Sequence, residues 1–166
     1  MYTMKEKAVI YFSRNGSTRI AAGLIAERID AELVELKGQK DRHGFVLSGF
    51  RAVTKKHLPP AGDPWADIRG CSTLVLGAPV WGGNANPVMN GFLDKADFTG
   101  KKVYLFTLQA DPQKSKSDEV LAHYSQRVKD AGGAVAGTFA LTGASPGKTA
   151  DEGLLREALA GWDLLT

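Results

Sequence analysis

The chain has 166 residues, 43% hydrophobic and 23% charged, the composition of a folded domain with its own core rather than of a disordered chain. No apolar run approaches the ~20 residues that a membrane helix needs, and the one cysteine, Cys71, excludes an intramolecular disulfide. The net charge of +3 is local: between Lys37 and His57 six bases face one acid, which leaves +5 there and −2 elsewhere. Such a patch suits an acidic partner, a phosphate-bearing ligand or a solvated helix face. No aromatic and basic interleaving argues for nucleic acid.

The segment Met1 to Lys7 lacks the apolar stretch of a signal peptide and leads straight into a strand. A reducing, cytoplasmic setting is therefore expected. The first strand is predicted over Ala8 to Phe12. The loop Ser13-Arg14-Asn15-Gly16-Ser17-Thr18 follows and opens a helix with the apolar stripe Ile20, Leu24, Ile25 and Ile29. The first N–H groups of a helix have no intrahelical partner, and the helix dipole favours an anion there. Ser13, Asn15, Ser17 and Thr18 add side-chain donors, and Gly16 permits a positive φ. The loop thus reads as a phosphate site, or as a turn capped by Ser17 or Thr18.

A second strand, Glu32 to Lys37, is half polar and belongs at a sheet edge. Residues 38 to 70 are irregular. Phe45, Phe50 and Val53 fit a helix weakened by Gly49, and the proline-rich stretch Leu58 to Pro64 must be loop. Ser72 to Ala78 is almost wholly apolar and reads as a central strand. Asn86-Pro87 opens a helix with Pro87 near its first position and Val88, Phe92 and Leu93 turned inward. Lys102 to Leu108 is the fourth strand. Ser117 or Asp118 is expected to cap the next helix, whose stripe is Val120, Leu121, Tyr124 and Val128, and Gly132-Gly133 ends it. Ala134 to Leu141 is the fifth strand. Thr149 with Glu152 resembles a capping box before Leu155, Ala158, Leu159 and Trp162. Alternating β and α elements predict one α/β domain over residues 1–166.

Ligands of an open parallel sheet bind beyond the carboxyl ends of its strands. Three loops lie there: the one at 13–18, the one from Pro79 to Pro87, and the one from Gln109 to Gln113. In the second, Trp81 stands beside Gly82, Gly83 and Asn84. The indole offers a stacking surface for a flat ligand, with the alternative of a lid folded over the sheet end. An anion loop and an aromatic platform at one edge describe a ligand with a phosphate at one end and a planar ring at the other. Flavin mononucleotide (FMN) fits, as do other nucleotides.

The motifs Ser13-Arg14-Asn15-Gly16-Ser17-Thr18 and Ala78-Pro79-Val80-Trp81-Gly82-Gly83 resemble those of the flavodoxin family, and the likeness extends over essentially the whole chain. It implies a three-layer α/β sandwich, with a five-stranded parallel sheet in the order 2-1-3-4-5 and helices on both faces. It implies FMN, with its phosphate on Ser13, Arg14, Asn15, Gly16, Ser17 and Thr18. The ring would lie among Pro79, Val80, Trp81, Gly82, Gly83 and Asn84, flanked by Leu108, Gln109, Ala110 and Asp111. The flavin carries the chemistry, so no catalytic side chain is expected. The implied function is electron transfer with a redox partner protein or a small donor or acceptor, as monomer or homodimer. The alternatives are an NAD(P)H-dependent reductase of quinones or nitro compounds, and a non-catalytic protein-binding domain. Electron-carrier flavodoxins are acidic, whereas this chain has a pI near 9.0.

Other signals are set aside. Gly143 to Thr149 has three residues between its glycines where a nucleotide-triphosphate loop has four, and it reads as a turn and cap from which Lys148 can reach a ligand. His43, His57 and His123 have no metal-ligand spacing and are expected at the surface. Cys71 is expected as a buried, inert thiol, and Trp65 and Trp162 as packing residues.

Overall fold

Strand periodicity sorts the central residues onto two faces, and each face is covered by its own set of helices. The structure is a computed structural model that describes residues 5–38, 57–145 and 147–164. Its elements are β1 (Lys7–Tyr11), α1 (Ser17–Ile29), β2 (Glu32–Glu35), α2 (Pro64–Ile68), β3 (Thr73–Pro79), α3 (Pro87–Leu93), β4 (Lys102–Gln109), α4 (Ser117–Asp130), β5 (Ala134–Thr142) and α5 (Glu152–Leu159). The strands form one parallel sheet in the order β2-β1-β3-β4-β5. The helix expected around Phe45, Phe50 and Val53 lies outside the described residues.

On one face Ile10, Leu76 and Leu105 pack under α3 and α4, meeting Phe92, Val120, Tyr124 and Val128. On the other, Val9, Val75 and Phe106 pack under α1 and α5, meeting Ile25, Ile29, Leu159 and Trp162. β1, β3 and β4 are buried on both faces, the condition that makes parallel strands read as continuous apolar runs. β5 instead alternates between exposed and half-buried residues, as an edge strand should.

Gly77 decides how tightly the middle of the sheet packs. It pairs in register with Phe106, and a Cβ on Gly77 would stand 2.0 Å from the Phe106 ring. Gly91 plays the same part on α3, where a Cβ would stand 1.9 Å from the Leu58 carbonyl oxygen. Leu58 N–H also donates to Pro87 O at 2.9 Å, so the segment carrying His57 lies directly on that helix.

Several local expectations change in the folded chain. In α1 the buried stripe is Thr18, Ala21, Ala22, Ile25, Ala26 and Ile29, with Ile20 and Leu24 only half buried. Alanines let this helix approach the sheet closely, and the bulkier side chains flank the contact. Lys116, not Ser117 or Asp118, stands at the cap of α4, without a side-chain bond; the Ser117 hydroxyl is drawn to Gln109 instead. Asp151, not Thr149, caps α5 by accepting from Leu154 N–H at 3.0 Å. Ala158 on that helix is exposed.

Asn86 does cap α3. Its Oδ1 accepts from Val88 N–H and Met89 N–H, both at 3.0 Å, and its own N–H donates to the Tyr124 hydroxyl at 2.8 Å. Asn86→Ala is expected to lower stability by about 1–2 kcal/mol, readable as a shift in the urea midpoint at unchanged slope.

Candidate functional site

The first loop holds its shape through its own side chains. Ser13 Oγ accepts from Gly16 N–H at 3.1 Å. Gly16 stands at the cap of α1 with φ 97°, a left-handed conformation that only glycine takes without strain. Ile20 N–H bonds Gly16 O at 3.0 Å, the first regular bond of the helix. Among the described residues no protein acceptor meets the N–H groups of Ser17, Thr18 and Arg19. Three open donors stand at the positive end of a 13-residue helix, an arrangement able to cradle an anion. Thr18 is nearly inaccessible at its base.

The loop between β5 and α5 braces this cradle. Thr149 Oγ1 donates to Asn15 O at 2.5 Å, and Ala150 N–H donates to Ser17 Oγ at 2.8 Å. The hydroxyl that local sequence assigned to a helix cap is therefore used across the sheet edge.

The second loop is a two-residue turn. Trp81 N–H donates to Asn84 O at 2.8 Å and Asn84 N–H to Trp81 O at 3.0 Å. Gly82 and Gly83 have φ of 55° and 78°, positive at both central positions as such a turn demands. Asn84 Nδ2 donates to Gly82 O at 3.1 Å and fixes that carbonyl. Trp81 is half buried, with Phe12 edge-on at 6.2 Å. The Arg14 guanidinium lies over its ring, 4.7 Å from the centroid.

The third loop is stapled by the two residues expected beside a ring. Gln109 Oε1 accepts from Lys116 N–H and Ser117 Oγ at 3.0 and 3.1 Å. The Asp111 carboxylate accepts from Gln113 N–H, Ser115 N–H and Ser115 Oγ. Those bonds hold its pKa below the usual carboxylate range.

These loops enclose one cleft of ≈ 730 Å³, within the range of about 300–1,000 Å³ usual for small-molecule sites. Ser13, Arg14, Asn15, Ser17 and Thr18 line it, as do Pro79 to Asn84, Leu108 and Ala110. Gly16, Gln109 and Asp111 do not line it and act by shaping the loops. Cys71 is buried just before β3, at the opposite end of the sheet from the cleft, with its pKa raised by burial and its thiol donating to Lys5 O at 3.5 Å. Trp65 stacks on Phe92, and Trp162 stacks on Phe139, so both pack.

The cleft also takes in residues that the loop motifs did not mark. Gly143, Ala144 and Lys148 join from the β5 end, and His57, Asn90, Glu119 and His123 from the α3 and α4 side. His57 Nδ1 pairs with Asp94 at 3.0 Å, and Arg127 pairs with the same carboxylate at 2.6 Å. His123 Nε2 pairs with Asn90 Oδ1 at 2.9 Å. Lost hydration, then the positive charges of Arg127 and His57, lower the His123 pKa and favour its neutral form. His123 was in principle legible, being three residues from Val120 on one helix face.

No protein-family model and no curated protein matches the chain. Solved structures do. The Trp repressor binding protein of Bacillus subtilis is 19% identical with a TM-score of 0.67, covering 93% of this chain and 95% of that one. A flavoprotein in complex with FMN from Lactobacillus acidophilus NCFM is 19% identical with a TM-score of 0.58, covering 82% and 93%. Oxidised flavodoxin 2 of Bacillus cereus is 19% identical with a TM-score of 0.57, covering 92% and 94%. The fold is flavodoxin-like. In a flavodoxin-like sheet the reversal of strand order falls between β1 and β3, and the cleft lies at the carboxyl ends of those two strands. No helix among the described residues is long and apolar enough to cross a membrane.

Proposed function

We propose that this chain is an FMN-binding, flavodoxin-like redox protein, a single cytoplasmic domain over residues 1–166 that passes electrons through the bound flavin. One observation carries the reading: the open N-terminus of α1 and the ring of Trp81 line the same cleft. The residues present fit the cofactor. The three unpartnered N–H groups of Ser17, Thr18 and Arg19, with the hydroxyl of Thr18 and the amide of Asn15, suit a phosphate dianion. Trp81, Val80, Pro79 and Leu108 supply flat apolar wall for a ring. FMN, when bound, supplies one- and two-electron chemistry that no side chain here provides.

The chain's own residues orient and shield. The Ser13 bond to Gly16 and the Thr149 bond to Asn15 keep the cradle formed before a ligand arrives, which lowers the ordering cost of binding. Asn84 holds the Gly82 carbonyl, so any rotation of that peptide must first break the 3.1 Å bond. Asp111 is bound within its own loop and does not itself line the cleft wall. The partner is a redox protein or a small donor or acceptor.

A second reading, an NAD(P)H-dependent quinone or nitro-compound reductase, draws on the extension of the cleft toward His57, Asn90 and His123, which leaves room beyond the Trp81 loop. An anaerobic titration separates the two. The purified chain is expected to bind FMN one to one with quenching of flavin fluorescence, and to resist bleaching by NADPH. Direct bleaching moves the assignment to a reductase. No flavin binding overturns the site.

A further inference from the structure

We infer that Arg14 selects a phosphorylated flavin over an unphosphorylated one, because its guanidinium serves either the face of Trp81 or a phosphate in the neighbouring cradle. The inference rests on the FMN reading above and assigns the residue that enforces it.

Arg14 is the one large side chain in the loop at 13–18. It is exposed at the cleft mouth, and its guanidinium carbon sits 4.7 Å from the Trp81 ring centroid, within cation–π range. Among the described residues no carboxylate pairs with it. Other arginines differ: Arg19 is bound to Glu35, Arg127 to Asp94, and Arg28 to the carbonyls of Leu159 and Trp162. Among the described residues the Arg14 cation is thus held by an aromatic face alone, a contact that another flat group can replace.

A ring that stacks on that face must displace the guanidinium. The displaced side chain stays tethered between Ser13 and Asn15, beside the open N–H groups of Ser17, Thr18 and Arg19. A guanidinium fork matches phosphate oxygens in two parallel bonds. With FMN, the phosphate replaces the contact that Trp81 loses. With riboflavin, the same ring displaces the same cation and nothing replaces the contact. Arg14 therefore favours FMN and opposes riboflavin from a single position.

The opposite signs make the test. The full-length wild-type chain, Arg14→Gln and Arg14→Lys are titrated with FMN and with riboflavin by calorimetry at one ionic strength. Far-UV circular dichroism confirms that each variant is folded. Arg14→Gln is expected to weaken FMN binding several-fold or more, the worth of a charge-assisted bond less the cation–π contact that the ring displaces in either case. It is expected to tighten riboflavin binding about two- to fivefold, the worth of an exposed cation–π contact. Arg14→Lys, which keeps the charge and loses the fork, falls between. Unchanged or weaker riboflavin binding in Arg14→Gln overturns the inference while leaving the FMN site standing. Unchanged FMN binding in that variant does the same. A wild type that binds neither flavin overturns both.

Discussion

Ser13→Asp is expected to abolish FMN binding while slightly raising the stability of the chain. Ser13 Oγ accepts from Gly16 N–H at 3.1 Å, and an aspartate oxygen can take over that bond, since Asp and Ser close the same local turns. The added charge stands before the N-terminus of α1, where a carboxylate stabilises a helix by about 0.3–1 kcal/mol. The same charge occupies the cradle that a phosphate dianion would enter. Like charges brought together cost several kcal/mol, so the affinity is expected to fall by more than about 100-fold. Thermal unfolding without ligand and an FMN titration check the two halves. A variant that still binds FMN within a few fold of wild type places the phosphate elsewhere. A variant that loses binding because it has lost stability would fail the stability half.

Gly77→Ala is expected to destabilise the chain by about 3 kcal/mol. The new Cβ would lie 2.0 Å from one ring carbon of Phe106 and 2.1 Å from another. Neither partner can retreat. Gly77 is in the middle of the central strand, and Phe106 is fully buried with its ring edge-on to Trp162 at 6.3 Å. Interiors at crystal-like density transmit such a clash rather than absorb it. Phe106→Leu removes the far end of the ring, so the double variant Gly77→Ala, Phe106→Leu is expected to lose less stability than the two single changes summed. Urea unfolding of the four proteins gives the coupling. Additive losses would mean that the strain is relieved elsewhere, by movement of the β3 backbone.

Both predictions concern residues that the sequence marks differently. Ser13 belongs to a loop whose residue types suit an anion, because a strand, a glycine and hydroxyls before a helix act locally. Gly77 is one glycine in an apolar run, and nothing local shows what it faces. Its role follows from the register that puts it opposite Phe106. The strands were legible for a similar reason. A parallel strand buried on both faces must be apolar throughout, and β1, β3 and β4 are. The half-polar β2 read as an edge strand and is one.

Capping was read less well, and the failures share a cause. Thr149 and Ser117 are good N-cap residues by type, yet the Thr149 hydroxyl reaches Asn15 and the Ser117 hydroxyl reaches Gln109. A hydroxyl takes whichever acceptor the fold brings nearest. Those acceptors are 134 and 8 residues away along the chain. Asn86 capped α3 as expected because its partners, Val88 and Met89, are its own neighbours.

The sequence by itself determined the order of the five strands, the helices α1, α3, α4 and α5, the two-faced apolar sheet, and the loops that carry the open α1 N-terminus and Trp81; the short helix α2 falls in the stretch read as irregular. Each of these depends on residue type and on spacing over a few positions. Only the tertiary structure decided that Arg14 lies on Trp81, that the β5 to α5 loop braces the cradle, and that His57, Asn90 and His123 reach the same cleft. These are meetings between segments far apart in the chain. They are set by strand register, by helix approach and by which polar group finds a partner first, and no local pattern encodes them.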